Sequence, residues 1–375
     1  MTIFVTCYQP VPMNYQCLGD HIREVNIRNR ELRVTAPMGI NIDKYFMPSV
    51  ANVIGTDLSN YKLVSKLQFA CNLMHVGRDE KIPMAMLTDE APIIVSPAYF
   101  VFEVSKPDIL LPEYLMMWFR RPEFDRNAWF YTDSDVRGGM SKVALLDMRL
   151  PVPPIERQRE IVAEYETLTR RIRLNEQIIQ RLEATAQALY RNTFIDNIDK
   201  QNLPPGWHLA TIEDFCEIIT GKKDVNESLS EGKFRFFSCS PEAYFSNEYI
   251  AKGPVVLIAG NGSYTGRVTY YDKEFDLYQR TYACIPKKGN IELIPFLYCV
   301  LRFEFQGQFM GGSRGSSIPY IVRGDIADFE FVYNENTCLI FSNVAQKILS
   351  YMQVKIAETE KLTEFQSLLL AKMGL

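Results

Sequence analysis

The chain has 375 residues, which is enough for two or three domains with cores of their own. Hydrophobic residues make up 47% and charged residues 23%, as in an ordinary globular protein, and no run of about 18 apolar residues suggests a membrane span. The net charge of −4 argues against a free-standing nucleic-acid binder, although a local basic face or a basic partner remains compatible with DNA binding.

The cysteines and histidines argue against a metal site and against a disulfide framework. None of the eight cysteines forms a C-x-x-C pair, and the three histidines lie far apart in the sequence. The plain interpretation is a set of reduced cysteines in the core of a cytosolic protein. Residues 1–5 lack the basic start and apolar core of a signal peptide, so we expect a cytoplasmic location.

Residues 1–154 predict a first mixed α/β domain. A short amphipathic helix is predicted to begin at Leu18. Residues 61–72 and 93–104 are rich in β-branched and aromatic side chains, which favours strands, and residues 113–119 favour a helix after a proline. Two polar, basic segments stand out, the charged turn 76–83 and the flexible loop 137–142. The first part also contains arginines that suit either a solvated surface or phosphate contacts: Arg23, Arg28, Arg30 and Arg33.

Residues 155–196 predict one long helix, which follows the segment Leu150-Pro151-Val152-Pro153-Pro154. These prolines favour an extended approach to the helix, and no Gly or Pro occurs from Ile155 to Phe194. The apolar positions alternate steps of four and three, as in a coiled coil, so the helix needs a partner. The positions of this seam are Ile161, Tyr165, Leu168, Ile172, Asn175, Ile179, Leu182, Ala186 and Leu189. The polar Asn175 either fixes the register of the pair or faces outward.

Residues 335–375 predict the partner helix, because residues 337–373 again lack Gly and Pro and carry apolar side chains at near-helical spacing. These side chains are Val344, Ile348, Met352, Ile356, Leu362, Phe365 and Leu369. The first long helix spans roughly 55–60 Å at 1.5 Å per residue, which is longer than an ordinary domain helix.

Residues 197–334 predict a second globular domain, which begins with the polar, proline-bearing linker 197–205. Residues 257–267 run from a strand into a glycine-rich loop, which indicates either a hairpin or a close approach of the backbone to another group. It is not a phosphate-binding loop, because no Gly-Lys-Ser/Thr follows. Residues 311–317 form a second flexible polar loop.

The second domain repeats the first. Leu18 and Asp20 match Ile212 and Asp214, and Leu115 matches Leu297. We also match Arg137-Gly138 with Arg314-Gly315, and Asp147-Met148 with Asp325-Ile326. The sequence therefore predicts an α+β fold in which two similar mixed α/β domains are separated by two long helices that form an antiparallel coiled coil, with an internal pseudo-two-fold repeat.

The order of these features resembles the specificity subunit of type I restriction-modification systems over essentially the whole chain. The residues that carry the resemblance are the proline run with Ile155-Glu156-Arg157-Gln158, the segment Leu203-Pro204-Pro205-Gly206-Trp207, the loop-then-helix end of each domain and the closing helix 362–373. The second domain departs from the family pattern, because it reaches its helix through residues 329–334 without a proline run.

The resemblance implies that the two domains are target recognition domains, each of which reads half of a split sequence in double-stranded DNA. It also implies that the long helices fix the half-site spacing, expected at about one helical turn, and dock two modification (methyltransferase) subunits. Restriction subunits, which translocate and cleave DNA, join through the complex. S-adenosylmethionine, ATP and Mg are expected in these partners, and no cofactor or metal in this chain.

Loop residues with side chains suited to bases or phosphates are the candidate DNA contacts. In the first domain they are Arg78, Lys81, Arg137, Ser141 and Lys142. In the second domain they are Asn261, Ser263, Thr265, Arg267, Ser313, Arg314 and Ser316.

We find no signature of catalysis. The chain has no Asn-Pro-Pro-aromatic tetrapeptide of an amino-methyltransferase, no nucleotide-binding loop and no convincing nuclease carboxylate pair. We therefore expect a non-catalytic subunit. Two alternatives remain: the specificity part of a related system, such as a type IIB enzyme, and a coiled-coil scaffold whose two domains bind protein rather than DNA.

Overall fold

The computed structural model describes residues 15–49, 55–74, 76–132, 138–196, 198–242, 244–309 and 320–373. The chain divides into two compact units: unit 1 comprises Met1–Arg173 and Thr359–Leu375, and unit 2 comprises Leu174–Glu358. Each long helix therefore contributes a segment to both units. In the described part of the chain, no helix is both long enough and apolar enough to cross a membrane.

The elements up to the first long helix are β1 (Tyr15–Cys17), β2 (Ile22–Glu24), β3 (Met38–Ile40), β4 (Phe46–Pro48), β5 (Lys62–Val64), β6 (Phe69–Cys71), α1 (Val76–Asp79), β7 (Met84–Met86), β8 (Ile93–Val95), β9 (Phe100–Val104), α2 (Pro112–Phe119), α3 (Pro122–Phe130), α4 (Lys142–Leu146), β10 (Arg149–Pro151) and α5 (Ile155–Phe194).

The elements that follow are β11 (His208–Thr211), α6 (Ile212–Phe215), β12 (Cys216–Thr220), β13 (Phe234–Phe237), β14 (Tyr244–Ser246), β15 (Ala251–Lys252), β16 (Val255–Ala259), β17 (Val268–Tyr271), β18 (Glu274–Leu277), β19 (Thr281–Pro286), α7 (Ile294–Val300), α8 (Gln306–Phe309), α9 (Arg323–Ala327), β20 (Glu330–Tyr333) and α10 (Glu335–Lys372).

The two units share one frame, as the internal repeat predicts. The order β2-β9-β6-β7 of the four-stranded sheet in unit 1 recurs as β12-β19-β16-β17 in unit 2. In each unit a short strand at the start pairs antiparallel with the strand that leads into the long helix, β1 with β10 and β11 with β20. The units differ outside this frame, because unit 2 has a second four-stranded sheet, β14-β13-β18-β15, where unit 1 has the two-stranded pairs β3-β4 and β5-β8.

The sequence match between the ends of the two units is out of register. Helices α4 and α9 follow the extended residues Ser141 and Val322, so Leu145 corresponds to Ile326, and both are fully buried. The prediction that Met148 matches Ile326 is therefore wrong, because shared sequence letters do not fix the turn on which a buried residue lies.

Three predicted elements of unit 1 differ from the structure, and one of them is the predicted strand 93–104, which is two strands, β8 and β9. The predicted helix at Leu18 is only a 3-10 turn, Leu18–Asp20, because the next residues enter β2 and pair with β9. The predicted strand 61–72 is two strands, β5 and β6, because the chain turns between them at Leu67, whose φ is +63°. The helix predicted at 113–119 is confirmed as α2.

The cores of the units are aromatic. In unit 1, Phe69 stacks on Phe102 at 5.0 Å between ring centroids, and the edge of Phe119 meets both rings. In unit 2, Tyr190 and Phe194 of α5 pack against Phe341 of α10, with ring centroids 5.8 and 5.2 Å apart. The edge-to-face geometry that recurs in both cores adds to the free energy of burying these large rings.

Helices α5 and α10 pair in opposite directions, as predicted. In unit 1, Gln366 of late α10 donates a hydrogen bond to Thr169 of early α5 at 2.6 Å, and Leu370 lies in the same apolar cluster as Ile161. In unit 2, late α5 packs on early α10 through Phe194 and Phe341. Opposite ends meet, so the pairing is antiparallel.

Parts of the predicted seam are shifted. Leu189 is 40% exposed and its neighbour Tyr190 is fully buried, since 3.6 residues per turn drift away from a strict heptad over a long helix. Val344, Ile356 and Phe365 of α10 are likewise exposed. The apolar side chains buried in early α10 are those of Cys338, Phe341, Ala345, Leu349 and the predicted Met352.

Asn175 lies inside the fold, so the interpretation in which it faces outward is wrong. Its side chain is 1% exposed, and neither amide atom has a hydrogen-bond partner among the described residues. A buried, unpartnered amide costs roughly 1–3 kcal/mol, which is consistent with a residue that fixes register at the expense of stability.

The helix pair of unit 2 can be tested at Phe341. We expect Phe341→Ala to destabilise unit 2 by ~3–5 kcal/mol, because it removes a ring that contacts Tyr190, Phe194 and Phe296 and leaves a cavity. Hydrogen exchange of the α7 and α10 amides, followed by mass spectrometry, measures the change. The matched control is Ile340→Ala at the adjacent, 69% exposed position, where we expect a change within ~0.5 kcal/mol. Equal effects of the two substitutions would contradict this packing.

Candidate nucleic-acid interface

In each unit the end of one central strand meets a chain segment that returns from a distant loop. In unit 1 the N–H of Met140 donates to the carbonyl of Leu73, just past β6, at 2.8 Å. In unit 2 the N–H of Ile321 donates to the carbonyl of Gly260, just past β16, also at 2.8 Å. We call these places the strand-end surfaces, formed by residues 72–74, 76–83 and 138–142 in unit 1 and by residues 260–267, 278–280 and 320–323 in unit 2.

In unit 1 the segment 138–142 is joined to the chain just before the charged turn, through the hydrogen bond from Met140 to Leu73. Lys81 lies 3.7 Å from the carboxylate of Asp43 and is about half exposed. Ser141 caps α4, since its hydroxyl accepts from the N–H of Ala144 at 3.1 Å. Arg137 lies outside the described residues, and the side chain of Arg78 is likewise not described.

Lys142 lies near two other cations of unit 1, Arg28 and Lys62, and near the carboxylate of Glu24. Its ammonium forms an ion pair with Glu24 and lies 4.6 Å from the centroid of the Phe100 ring. Burial lowers the pKa of the nearby Lys62, and the positive charge of Arg28 lowers it further. Three cations around one carboxylate leave a local positive charge that the chain total of −4 conceals.

The remaining arginines of the first part lie on the surface. Arg23 forms an ion pair with Glu103, and Arg33 with Glu31. Arg28 donates to the carbonyl of Asn60 at 2.6 Å, and Arg30 is exposed. These contacts leave both interpretations, solvated surface and phosphate contact, in place.

A buried ion pair anchors the charged turn of unit 1 from below. The ammonium of Lys44 lies 2.7 Å from the carboxylate of Asp125 and also donates to the carbonyl of Ile82 at 3.0 Å. The same carboxylate accepts from the N–H of Ile82 at 3.2 Å. Burial lowers the pKa of Lys44, and Asp125 opposes that effect. The end of the turn is thus fixed to α3 by charged hydrogen bonds, which are stronger than neutral ones.

Removal of this anchor should destabilise unit 1. We expect Asp125→Ala to cost ~3–5 kcal/mol, because it leaves the Lys44 ammonium buried without its partner. Arg126→Ala, which breaks an exposed ion pair with Glu123 on the same helix, should change stability by less than ~1 kcal/mol. Urea denaturation followed by circular dichroism compares the two, and equal midpoints would exclude an anchoring role for Asp125.

In unit 2 the glycine loop is a hairpin between β16 and β17, and the close backbone approach is internal to the protein. The N–H of Gly260 donates to the carbonyl of Arg280 at 2.9 Å, and a Cβ on Gly260 would lie 2.5 Å from that oxygen. Only glycine fits at this point without a shift of the backbone.

The four predicted residues of this hairpin fall into two groups. Asn261 is half-buried and Ser263 is exposed, so both are accessible at the strand-end surface. Thr265 is buried, and its hydroxyl donates to the carbonyl of Gly262 at 2.7 Å. Arg267 donates to the carbonyl of Ser240 at 2.7 Å, and burial lowers its pKa. A hydrogen bond from the Thr265 hydroxyl to DNA would require it to leave Gly262, whereas Arg267 has further N–H donors besides the one bound to Ser240.

The predicted loop residues Ser313, Arg314 and Ser316 lie outside the described residues. The next described residue, Tyr320, lies at the strand-end surface of unit 2 and is 53% exposed, and its backbone pairs with that of Asn261 in an isolated β-bridge. The hydroxyl of Tyr282 donates to the carbonyl of Ile321 at 3.0 Å and fixes this segment on β19.

No sequence pattern pointed to Tyr320 or Arg280. Arg280 lies in the turn before β19 and is exposed, and its carbonyl is the group that Gly260 contacts. Burial raises the pKa of the nearby Tyr282, and the charge of Arg280 opposes that rise. Only the strand pairing brings Arg280, which is far from Asn261 in the sequence, to the same surface.

The arrangement provides hydrogen-bond donors, cations and aromatic rings at the exposed ends of rigid strands. Such side chains can bind base edges and phosphates. Among the residues that the structure describes, no group of three or more His, Cys, Asp or Glu side chains is placed to hold a metal ion.

The comparisons with known proteins agree with this fold. Residues 204–333 match the family model described as type I restriction modification DNA specificity domain. A stretch of 126 residues is 36% identical to the type I restriction enzyme EcoDI specificity subunit of Escherichia coli. That match covers 34% of this chain and 27% of the relative, so it spans about a quarter of the relative's length.

A solved structure has a similar fold over nearly the whole chain. It is the S subunit of a type I restriction-modification system from M. genitalium, with a TM-score of 0.62 and 14% sequence identity. The superposition covers 98% of this chain and 98% of the other. Residues 204–333 thus match the DNA specificity domain of type I restriction-modification systems, and the chain shares the fold of a solved S subunit.

Proposed function

We propose that this chain selects the DNA sequence on which a type I restriction-modification complex acts. Each unit contacts one half of a bipartite, gapped site in double-stranded DNA, and the long helices set the half-site spacing and dock two modification subunits. The chain itself catalyses no step. The partner subunits supply the chemistry with S-adenosylmethionine, ATP and Mg, and restriction subunits join through them in the cytoplasm.

The observation that carries this proposal is one frame with two different strand-end surfaces. Both units use the same sheet order and the same backbone hydrogen bond to fix the returning segment, at Met140 and at Ile321. The side chains presented there differ: Lys81 and Lys142 in unit 1, and Asn261 and Tyr320 in unit 2. A repeated frame with different surface chemistry is suited to two different short targets.

The side chains of these surfaces suit DNA. Amide and guanidinium groups recognise base edges in the major groove, and ammonium groups neutralise phosphates without regard to sequence. The cluster of Arg28, Lys62 and Lys142 around Glu24 supplies local positive charge in unit 1. Local charge of this kind, together with basic partner subunits, offsets the acidic total of the chain.

Binding to DNA should depend steeply on salt. We expect the complex of this chain with its modification subunits to bind duplex DNA more weakly as salt rises, because binding releases counterions. The logarithm of the association constant should fall with the logarithm of the salt concentration, with a slope of about −0.9 for each phosphate contacted. Fluorescence anisotropy over a series of salt concentrations measures the slope, with the modification subunits alone as the control. If this chain were a scaffold that binds only protein, the complex would show the same salt dependence as the modification subunits alone. That result would favour the scaffold over the proposed function.

Helix α10 also offers a surface for the modification subunits. Within unit 2, one face of the helix carries apolar side chains that are 44–69% exposed: Ile340, Val344, Tyr351 and Val354. Their spacing of four, seven and three residues places them on one stripe, opposite the buried Ala345, Leu349 and Met352. A helix with two apolar faces is suited to two partners, α5 on one side and another subunit on the other.

This docking stripe can be tested without damage to the fold. We expect Val354→Asp to lower the affinity for the modification subunit by at least about tenfold, since a charge would be buried at the contact. Ala357→Asp is the control, because it places the same charge at an exposed position of α10 away from the stripe. Size-exclusion chromatography and calorimetry of the purified pair measure the effect. Equal affinities of the two variants would rule out docking at this stripe.

A further inference from the structure

We infer that Arg280 reads a guanine in the half-site contacted by unit 2. This inference rests on the proposed function and assigns a specificity-determining residue to it. Its chemistry is the bidentate hydrogen bond from a guanidinium to O6 and N7 of guanine in the major groove, the commonest specific contact between an arginine and DNA.

The register of the repeated sheets shows that Arg280 is not part of the shared frame. In unit 2, Val256 pairs with Cys284 and Ile258 with Tyr282; in unit 1, Phe69 pairs with Phe102 and Cys71 with Phe100. Two residues before Phe100, at the position that corresponds to Arg280, unit 1 has the exposed Ala98. The frame therefore tolerates alanine at this position, and the arginine is an individual feature of unit 2.

The guanidinium of Arg280 has no carboxylate partner among the described residues. Other surface arginines of the chain form ion pairs, including Arg191 with Asp196 and Arg323 with Glu213. An exposed arginine without an internal partner is free to donate its hydrogen bonds to a ligand, and binding of that ligand does not require the loss of an ion pair.

The backbone of Arg280 is held rigidly at the strand-end surface. Its carbonyl accepts hydrogen bonds from the N–H of Gly260 at 2.9 Å and from the thiol of Cys239 at 3.3 Å. The next residue closes the turn, since the N–H of Thr281 donates to the carbonyl of Tyr278 at 3.0 Å. A reading side chain on a fixed backbone loses less conformational entropy on binding than one on a loop.

The residues around Arg280 suit a base edge better than an isolated phosphate. Gly260, whose N–H contacts the Arg280 carbonyl, is followed by Asn261. The backbone of Asn261 pairs with that of the exposed Tyr320 in an isolated β-bridge. Asn261 supplies an amide with donor and acceptor groups, and Tyr320 supplies a ring and a hydroxyl. A flat guanidinium on the same surface as an amide and an aromatic ring suits direct readout, whereas a phosphate needs only charge.

The test uses the full chain in complex with its modification subunits. Cells that express the wild type, Arg280→Ala or Lys273→Ala are compared by sequencing of their methylated DNA, and the purified complexes are titrated with the wild-type motif and with single-base variants of it. Lys273 is the control, since it is an exposed cation of unit 2 in the turn at the other end of the β16–β17 pair.

We expect Arg280→Ala to accept other bases at one guanine of one half-motif, with a ~5–150-fold loss of discrimination there. The other half-motif should stay unchanged.

Every other outcome has a defined meaning. An unchanged motif with equally weakened binding to all sequences would make Arg280 a phosphate contact and overturn the inference. The inference would also be overturned if Arg280→Ala changed neither the motif nor the affinity. The same holds if Lys273→Ala accepted other bases at the same guanine. Absence of any methylated motif with the wild-type chain would instead count against the proposed function itself. Because unit 1 folds with Ala98 at this position, Arg280→Ala is expected to fold, and circular dichroism checks it.

Discussion

The structure depends on one backbone hydrogen bond that occurs once in each unit. It joins the N–H of Met140 to Leu73 and the N–H of Ile321 to Gly260, both at 2.8 Å. A buried backbone donor must find a partner, so the position of the returning segment is fixed by the frame and not by the side chains around it. The side chains at the strand ends are then free to vary, because the hydrogen bonds and apolar contacts that stabilise each unit lie beneath them.

This separation of roles explains why two units with one fold can differ at their surfaces. The shared sheet buries aromatic and aliphatic side chains, and a change there costs several kcal/mol. An exposed turn residue such as Ala98 or Arg280 contributes little to stability, since its backbone makes the necessary hydrogen bonds in either case. The same reasoning separates Arg267, whose guanidinium is bound to Ser240 inside unit 2, from Arg280, which has no internal partner among the described residues.

The fold was largely predictable from the sequence because its main signals are long. A forty-residue helix without Gly or Pro can be recognised from periodicity alone, and so can its partner. Short elements were less predictable: the segment at Leu18 has the apolar spacing of a helix, yet pairing with β9 overrides it. Even in the long helix, the buried position moves from Leu189 to Tyr190, because the sequence does not show how far the seam rotates.

The candidate site was less predictable for a different reason. Composition identified polar loops, and the structure brings Asn261 and Ser263 to the surface there, but composition does not indicate which loop side chains are engaged inside the protein, as Thr265 is. Arg280 had no local signal at all. Its position follows from the pairing of β16 with β19, a contact between residues about twenty positions apart whose register is fixed by burial on both faces of the sheet.

The two faces of α10 complete this argument. One face packs on α5 through Phe341, and the opposite face leaves Ile340 and Val354 exposed. An isolated protein gains nothing from an exposed apolar stripe, whereas a subunit of a complex buries it on assembly. Asn175, which is buried and has no hydrogen-bond partner in the described part of the chain, fits the same view, since it lowers the stability of the pair but disfavours a shifted register. Under the proposed function, in which the long helices set the spacing between two half-sites, a fixed register matters more than maximal stability, because a slip of one helical turn, about 5 Å along the helix, exceeds one base-pair step.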